Sequence, residues 1–232
     1  MKKKISIVVP ILNENKNIQK LVREIKANIK TLIYEVIFVD DNSTDGSIET
    51  LKRIKHQNKE VDFIINNGPQ DLTQSCFKGI SKSKNDIIII MDGDLQHDPK
   101  YIEKLYNKLN VNNNDIVIGS RNFKKIKTST FSMVRNVFSR FLILILKLMS
   151  GKNYIDPMSG YFIFKKKIFV KNKKILYGKG YKILADFIYN IPNLKIAEIF
   201  INFKSRAKGK SKMNLRVLIL LIIFMIKKII KI

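Results

Sequence analysis

Apolar and polar positions follow one another in blocks along this chain, and the sharpest block is residues 87–91, four isoleucines and a methionine without a polar break. Such a run predicts a strand buried on both faces, as in a parallel sheet. It stops abruptly at Asp92-Gly93-Asp94. Upstream the same rhythm recurs. Residues 5–11 predict a first strand. Residues 15–30 have helical spacing, with Ile18, Leu21, Val22, Ile25 and Ile29 on one face. Residues 34–39 predict a second strand. A second helix follows, with Ile48, Leu51 and Ile54 turned inward, and residues 61–65 predict a third strand. Asn66-Asn67-Gly68-Pro69 is a turn by composition, and Asp71 or Thr73 can cap a third helix. After the isoleucine strand, Asp98-Pro99 opens a helix with proline at its first position, and residues 115–120 form another strand. Strand and helix thus alternate for about 120 residues, which predicts a doubly wound, mostly parallel α/β sheet.

Beyond Arg121 the rhythm changes. Residues 128–150 form a long amphipathic stretch, strongly apolar at 141–146. Residues 160–164 and 196–203 read as further strands. Residues 204–214, KSRAKGKSKMN, form a basic loop containing Gly209. Residues 217–226, VLILLIIFMI, are continuously apolar and are closed by Lys227-Lys228. That run is shorter than the ~20 residues of a spanning helix, so a helix lying in the membrane interface or docked on protein is expected. The expected division is a catalytic domain over 1–213 and an apolar, membrane-interfacial helix over 214–232.

Composition narrows the partners. With 232 residues, 45% of them hydrophobic, the chain can build one sizeable α/β domain. The formal net charge of +25 suits nucleic acid, an anionic membrane surface or phosphorylated substrates. Lys, Ile and Asn are abundant throughout, so part of this charge is compositional bias on a solvated surface. The single Cys76 excludes an internal disulfide and a cysteine metal site. The apolar run after Met1-Lys2-Lys3-Lys4 contains Pro10 and ends at Asn13-Glu14, which reads as a strand and not a signal peptide.

The chemistry collects at strand ends. Open α/β sheets bind ligands beyond the carboxyl ends of their strands. Asp92 and Asp94 lie at such an end. Two neighbouring carboxylates repel each other, and a divalent cation removes that cost. Mg²⁺ or Mn²⁺ is usually held by one or two carboxylates, with phosphate oxygens completing the shell. A metal–diphosphate site is therefore expected here. Val39-Asp40-Asp41-Asn42-Ser43-Thr44-Asp45-Gly46 closes the second strand, where Asp40 and Asp45 serve either the ligand or the turn. His97, beside the helix start, is expected in a supporting position.

Four pieces now coincide: Pro10-Ile11-Leu12-Asn13-Glu14, the Val39–Gly46 run just quoted, Asp92-Gly93-Asp94-Leu95-Gln96-His97, and Arg206-Ala207-Lys208-Gly209-Lys210-Ser211-Lys212. In this order and spacing they resemble the inverting family 2 glycosyltransferases, of the dolichol- or polyprenol-phosphate mannosyltransferase type. The likeness runs from about residue 4 to residue 213. It implies a GT-A type fold and transfer of a sugar, by default mannose from GDP-mannose, to a polyprenyl phosphate with inversion. Alternative donors are UDP-glucose and UDP-GlcNAc. It implies that Pro10, Leu12, Glu14, Val39 and Asp41 line the nucleoside pocket. Asp92, Gly93 and Asp94 would form the metal–diphosphate turn, with Gln96 a further ligand of Mg²⁺ or Mn²⁺. Arg121 would lie near the donor, and Arg206 and Lys212 on a loop closing over the diphosphate. Asp94, Arg206 and Lys212 would be the catalytic groups. The turn Asp156-Pro157-Met158-Ser159-Gly160-Tyr161 would face the acceptor. By their charge, Arg121, Arg135 and Lys212 are the groups expected to guide the lipid phosphate. A peripheral place on the cytoplasmic face of a membrane is implied, and with it a small membrane-anchoring partner.

The chain departs from the family in four places. Leu12 stands where tyrosine is frequent. Gly93 stands where alanine is frequent, an exchange expected to be harmless. Gly68-Pro69-Gln70-Asp71-Leu72-Thr73 replaces a glycine-rich loop. The paired transmembrane helices of some members are absent. Rival classes fit less well. A nucleic-acid-binding protein does not explain three acidic clusters on one sheet edge, and no recognition motif for nucleic acid is present. A dinucleotide oxidoreductase needs G-x-G-x-x-G after the first strand. A processive polysaccharide synthase of the same superfamily carries a tryptophan-containing acceptor motif, and this chain has no tryptophan.

Overall fold

A computed structural model describes residues 3–111, 113–121, 155–180 and 182–204. In chain order the elements are β1 (Lys4–Ile11), α1 (Asn15–Asn28), β2 (Ile33–Asp40), α2 (Ser47–Gln57), β3 (Val61–Ile65), α3 (Leu72–Lys82) and β4 (Ile87–Ile90). A 3₁₀ turn at Pro99–Tyr101 leads into α4 (Ile102–Val111), which is followed by β5 (Ile116–Arg121). Beyond residue 154 come β6 (Phe162–Lys165), α5 (Lys166–Asn172), a second 3₁₀ turn at Lys173–Ile175, α6 (Ile183–Asn190) and β7 (Ile196–Ile201).

The strands form one seven-stranded sheet in the order β3-β2-β1-β4-β6-β5-β7. All neighbours are parallel except β6, which runs antiparallel to both β4 and β5. Alternation along β1 divides the interior in two. Ile5, Ile7, Val9 and Ile11 point to one face, against Ile18, Leu21 and Ile25 of α1, Leu51 and Ile54 of α2, and Leu105 of α4. Val8, with Ile37 and Val39 of β2, points to the other. There it meets Cys76, Phe77 and Ile80 of α3, Phe169 of α5 and Phe187 of α6. Helices therefore cover both faces, as buried parallel strands require. Each fully buried isoleucine contributes roughly 1.5–3 kcal/mol.

Local signals explain most boundaries. Asp71 caps α3 by accepting from the Gln74 amide at 3.0 Å. Asp98 accepts from the Lys100 amide at 3.1 Å, with Pro99 at the first position of its turn. Four expectations shift. The first helix stops at Asn28, because Ile29 is already extended. In α2 it is Ser47 and Thr50 that are buried beside Leu51 and Ile54, whereas Ile48 is only half-buried. The strand expected at 160–164 begins at Phe162, since Gly160 and Tyr161 belong to a turn. The last strand ends at Ile201, where the Asn202 amide turns to the Tyr101 hydroxyl. The apolar segments 128–150 and 217–226, the whole of 214–232, and Arg135, Arg206 and Lys212 lie outside the described residues. Among the described residues no helix is long and apolar enough to cross a membrane.

One contact controls how closely α3 sits on the sheet. A Cβ at Gly79 would lie 2.4 Å from Val8 Cγ1 and 3.0 Å from Val39 Cγ2. Both valines are fully buried, so neither can give way cheaply. Gly79→Val is expected to lower stability by about 1–3 kcal/mol through overpacking. An unchanged urea midpoint would show that α3 has slack against β1 and β2.

Candidate active site

The acidic motifs at the strand ends are held against one another by their own polar groups. The Asn13 amide donates to Ser43 Oγ at 2.8 Å, and the Thr44 amide to Asn13 Oδ1 at 2.8 Å. The Asn15 amide donates to Asp45 Oδ2 at 2.9 Å. Asp40 accepts from the Ser43 amide at 2.9 Å, and Asp45 accepts from both the amide and the hydroxyl of Ser47. Asp40 and Asp45 therefore hold the turn. The Asp41 amide donates to the Ile11 carbonyl at 2.8 Å, which keeps the ends of β1 and β2 level. Its carboxylate is buried and accepts from Asn66 Nδ2 at 2.5 Å and Ser75 Oγ at 3.1 Å. Lys78 in turn donates to Asn66 Oδ1. Glu14 is buried and accepts from Asn17 Nδ2 at 2.6 Å. Pro10 pairs with Val39 across β1 and β2. The Val39 side chain packs in the core beneath α3, and Leu12 is half-buried.

The Asp92-Gly93-Asp94 turn follows β4 next to this group. Gly93 is there for packing. A Cβ on it would meet Ile11 Cγ2 at 2.6 Å, inside the core. Alanine is thus not a harmless exchange at this position, contrary to the expectation from the family pattern, because Ile11 is buried and must move. Asp94 is buried, and it accepts from the Gln96 amide at 3.1 Å. The side-chain amide of Gln96 donates to the Lys204 carbonyl at 3.2 Å, tying the turn to the chain that enters the basic loop. His97 is buried behind the turn, stacked on Tyr161 with ring centres 5.0 Å apart. Its Nδ1 accepts from the Asp92 amide at 2.9 Å, and its Nε2 lies 3.7 Å from Asp92 Oδ2. Burial lowers its pKa to about 4, so the ring is neutral.

The far side of the turn is built by β5, β6 and β7. Arg121, at the end of β5, grips the fully buried Asp156 through Nε at 2.6 Å and a second nitrogen at 2.9 Å. Glu198 on β7 accepts from Ser120 Oγ at 2.6 Å and from the amides of Ile155 and Asp156, fixing that turn. Ser159 donates to the Gly119 carbonyl at 2.7 Å. Gly160 then presses on Asp92 so closely that a Cβ would lie 2.9 Å from both carboxylate oxygens. Sequence reasoning missed one group here. Lys182, directly before α6, is half-buried and within electrostatic reach of Arg121, Asp156 and Asp92. Burial, with the Arg121 charge beside it, lowers its pKa to about 8. Nothing in the local sequence separates it from the other lysines.

Among the described residues no three His, Cys, Asp or Glu side chains gather into a metal cluster. Two carboxylates, Asp92 and Asp94, still fit Mg²⁺ or Mn²⁺, which commonly take one or two carboxylates and complete their shell with water and substrate phosphate. The space left by the missing Cβ of Gly160 is taken up by the Asp92 carboxylate.

With this geometry in view, the comparisons with known proteins are direct. A family model described as Glycosyl transferase family 2 matches residues 6–172, and the chain belongs to that family. The dolichol-phosphate mannosyltransferase of Pyrococcus furiosus is 31% identical over 213 residues, covering 91% of this chain and 59% of that relative. The chain thus spans about three-fifths of that relative's length. The dolichol-phosphate mannosyltransferase of Saccharomyces cerevisiae is 30% identical over 224 residues, covering 92% of this chain and 82% of the relative. Among solved structures, glucosyl-3-phosphoglycerate synthase from Mycobacterium tuberculosis, in complex with Mn²⁺, UDP and glucosyl-3-phosphoglycerate, superposes with a TM-score of 0.74 at 17% identity. That match covers 99% of this chain and 79% of the other, and it shows the shared GT-A type fold.

Two outcomes follow from the geometry. Gly160→Ala should leave the melting temperature nearly unchanged, since only a carboxylate end must move. It should weaken Mn²⁺-dependent binding of a nucleoside diphosphate about tenfold in calorimetry; unaltered affinity would show that Asp92 needs no cradle. His97 has a folded pKa below its unfolded value of ~6.5. Its stabilisation is therefore full above about pH 6.5 and is lost as pH falls toward 4, by on the order of 3 kcal/mol. Urea unfolding should fall more steeply between pH 7 and 4.5 in the wild type than in His97→Gln. Parallel falls would show that the ring does not titrate as a buried neutral group.

Proposed function

We propose that this chain transfers a hexosyl group, mannose from GDP-mannose by preference, from a nucleotide sugar to a polyprenyl phosphate. The observation that carries this reading is the order of groups along one edge of the sheet. Asp41 at the end of β2, beside the end of β1, comes first, then the Asp92-Gly93-Asp94 turn after β4, then Arg121 at the end of β5. A nucleoside, its diphosphate and an incoming anion fit these stations in turn. Asp41 would receive hydrogen bonds from the nucleoside, and Asp92 and Asp94 would hold Mg²⁺ or Mn²⁺ against the diphosphate, with Gln96 as a further ligand. The ion, when bound, supplies positive charge where the departing diphosphate becomes more negative. Arg206 and Lys212 would add to that stabilisation from the basic loop. The dolichol-phosphate mannosyltransferase relatives support the acceptor class.

The chemistry needs no general base. A phosphate monoester has its second pKa near ~6, so the acceptor is already an oxyanion at neutral pH. The neutral, buried His97 fits a structural role in this scheme. Attack opposite the leaving group inverts the anomeric centre. The basic, apolar segments 128–150 and 214–232 suit peripheral binding to the cytoplasmic face of an anionic membrane, alone or with a small anchoring partner.

The test is a donor screen with purified protein and polyprenyl phosphate, using GDP-mannose, UDP-glucose and UDP-GlcNAc. We expect β-linked mannosyl phospholipid, abolished by excess chelator. Asp94→Asn should lower turnover at least about 100-fold, the order for losing one main electrostatic stabiliser. Full activity in chelator, or an α-linked product, would overturn the scheme.

A further inference from the structure

A cavity of about 580 Å³ lies between α3 and the turn that follows α5. One wall is a stripe of α3. Gln74, Phe77, Lys78 and Lys82 recur at i, i+3, i+4 and i+8, on one side of the helix. Cys76 and Ile80 pack against the sheet. The other wall carries Lys173 and Leu176, and Ile64 of β3 also lines the space. Gln74 Nε2 donates to the Gly178 carbonyl and joins the two walls. Gly178, at φ 67°, approaches Phe77 so closely that a Cβ on it would lie 3.1 Å from Cε2. The walls are therefore fixed to one another, and the gap between them is a built feature of the fold.

The lining divides by polarity. Phe77 and Leu176 are buried, whereas Lys78, Lys82 and Lys173 are exposed at the rim. No carboxylate lines the cavity among the described residues. Lys82 pairs with Asp62 at 3.0 Å, but Lys55 claims the same carboxylate at 2.6 Å. Lys78 donates to the neutral Asn66 side chain. Lys173 lies over the Phe169 ring at 5.6 Å. The rim thus carries an excess of positive charge. An apolar floor with a few convergent polar groups, in a space of several hundred Å³, is the make-up of a small-molecule site. Lysine ammonium groups take phosphate as point charges. We infer that this cavity binds a small phosphate monoester, with the phosphate at the lysine rim and the apolar body against Phe77 and Leu176. The site is separate from the one assigned to the donor, since Asp41, Asp92, Asp94 and Arg121 do not line it. It meets the donor side at one point, because the Asn66 that receives Lys78 also donates to Asp41. A soluble ester and a lipid headgroup present the same phosphate, and the buried floor favours the soluble ester, whose body fits inside.

The experiment is run in excess chelator, so that phosphate cannot bind through a divalent ion at the Asp92 turn. Full-length wild type, Lys173→Met, Lys82→Met and Lys174→Met are titrated with phenyl phosphate and with inorganic phosphate. Lys174 adjoins Lys173 but does not line the cavity, so its variant makes the same change in net charge outside the site. Wild type should bind phenyl phosphate about tenfold more tightly than inorganic phosphate, the order for burying part of one ring. Lys173→Met and Lys82→Met should each lose about tenfold in phenyl phosphate affinity, the order for one charge-assisted hydrogen bond. Lys174→Met should keep wild-type affinity, and circular dichroism spectra of all four proteins should coincide. Equal losses in Lys173→Met and Lys174→Met would assign binding to the general basic field and overturn the site. Equal affinity for the two phosphates, or wild type that binds neither, overturns it as well. Lys173-dependent binding confined to phosphatidylglycerol vesicles would assign the rim to lipid headgroups and overturn a soluble ligand.

Discussion

The close approach of Gly160 to Asp92 is the constraint on which the site depends. It joins two halves of different construction. One half is a regular parallel αβ succession ending at β4, and the other is the mixed β6-β5-β7 group. Without a Cβ, Gly160 lets the turn after Asp156 lie against the Asp92 carboxylate with no displacement of that carboxylate. Because β6 runs antiparallel to β4, its N-terminal end reaches the same edge as the C-terminal end of β4, with Phe162 opposite Ile90. The reversal of one strand therefore brings the backbone turn that precedes β6 to the carboxyl ends of β4 and β5. His97 closes the other side by receiving the Asp92 amide and stacking on Tyr161. Asp92 is thus positioned by groups from both halves.

A second contact keeps that junction from collapsing. Arg121 and Asp156 form a bidentate pair, with the carboxylate fully buried. Burying a charge pair is seldom a net source of stability, but removing one partner leaves an uncompensated charge and is strongly unfavourable. The pair therefore acts as a register device. It holds the end of β5 to the turn before β6 in one arrangement, with Glu198 of β7 fixing the amides on the other side of the same turn. Phe203 lies under the guanidinium at 5.7 Å and adds a cation–π contact.

How much of this was legible in the sequence differs between the halves. The isoleucine and valine blocks are strands, largely buried in β1, β4 and β5 and half-buried in β3, and their spacing marked all of β1 to β5 to within two or three residues. Helix α1 was read down to its face, because Ile18, Leu21, Val22 and Ile25 follow one stripe. Ile48 was misjudged since polar partners decide α2: Ser47 and Thr50 are buried for the hydrogen bonds they make with Asp45, Glu14 and Asn15. Strand direction was not legible at β6. An apolar run of four carries no sign of which way it pairs. The acidic clusters were legible as groups gathered at one edge of the sheet, but their division of labour was not. Asp40 and Asp45 differ from Asp41 only in where the turn aims them, and Gly93 differs from a permissive glycine only through Ile11 beneath it. Lys182 was invisible among 44 lysines and arginines, since nothing in the neighbouring residues marks it.

The charge distribution reconciles two features that look opposed. The chain carries +25 overall, yet Asp41, Asp92, Asp94 and Asp156 sit at one sheet edge. Over distances longer than the Debye length of about 8–10 Å, detail is screened, and close to the surface the summed basic field attracts anions. At contact distance the order reverses, because a phosphate brought against bare carboxylates is repelled unless a cation stands between them. Of the four carboxylates, Asp156 is neutralised by Arg121, and Asp41 is hydrogen-bonded by Asn66 and Ser75 within reach of Lys78. Asp94 accepts from the Gln96 amide and Asp92 lies against Gly160 and His97, and these are the two carboxylates proposed to meet a divalent ion. A basic exterior around an acidic edge would suit the proposed phosphate-bearing ligands if they arrive with a divalent cation. It is a poor design for a long polyanion such as nucleic acid, for which an acidic edge at the centre of the binding face would be a penalty at every contact.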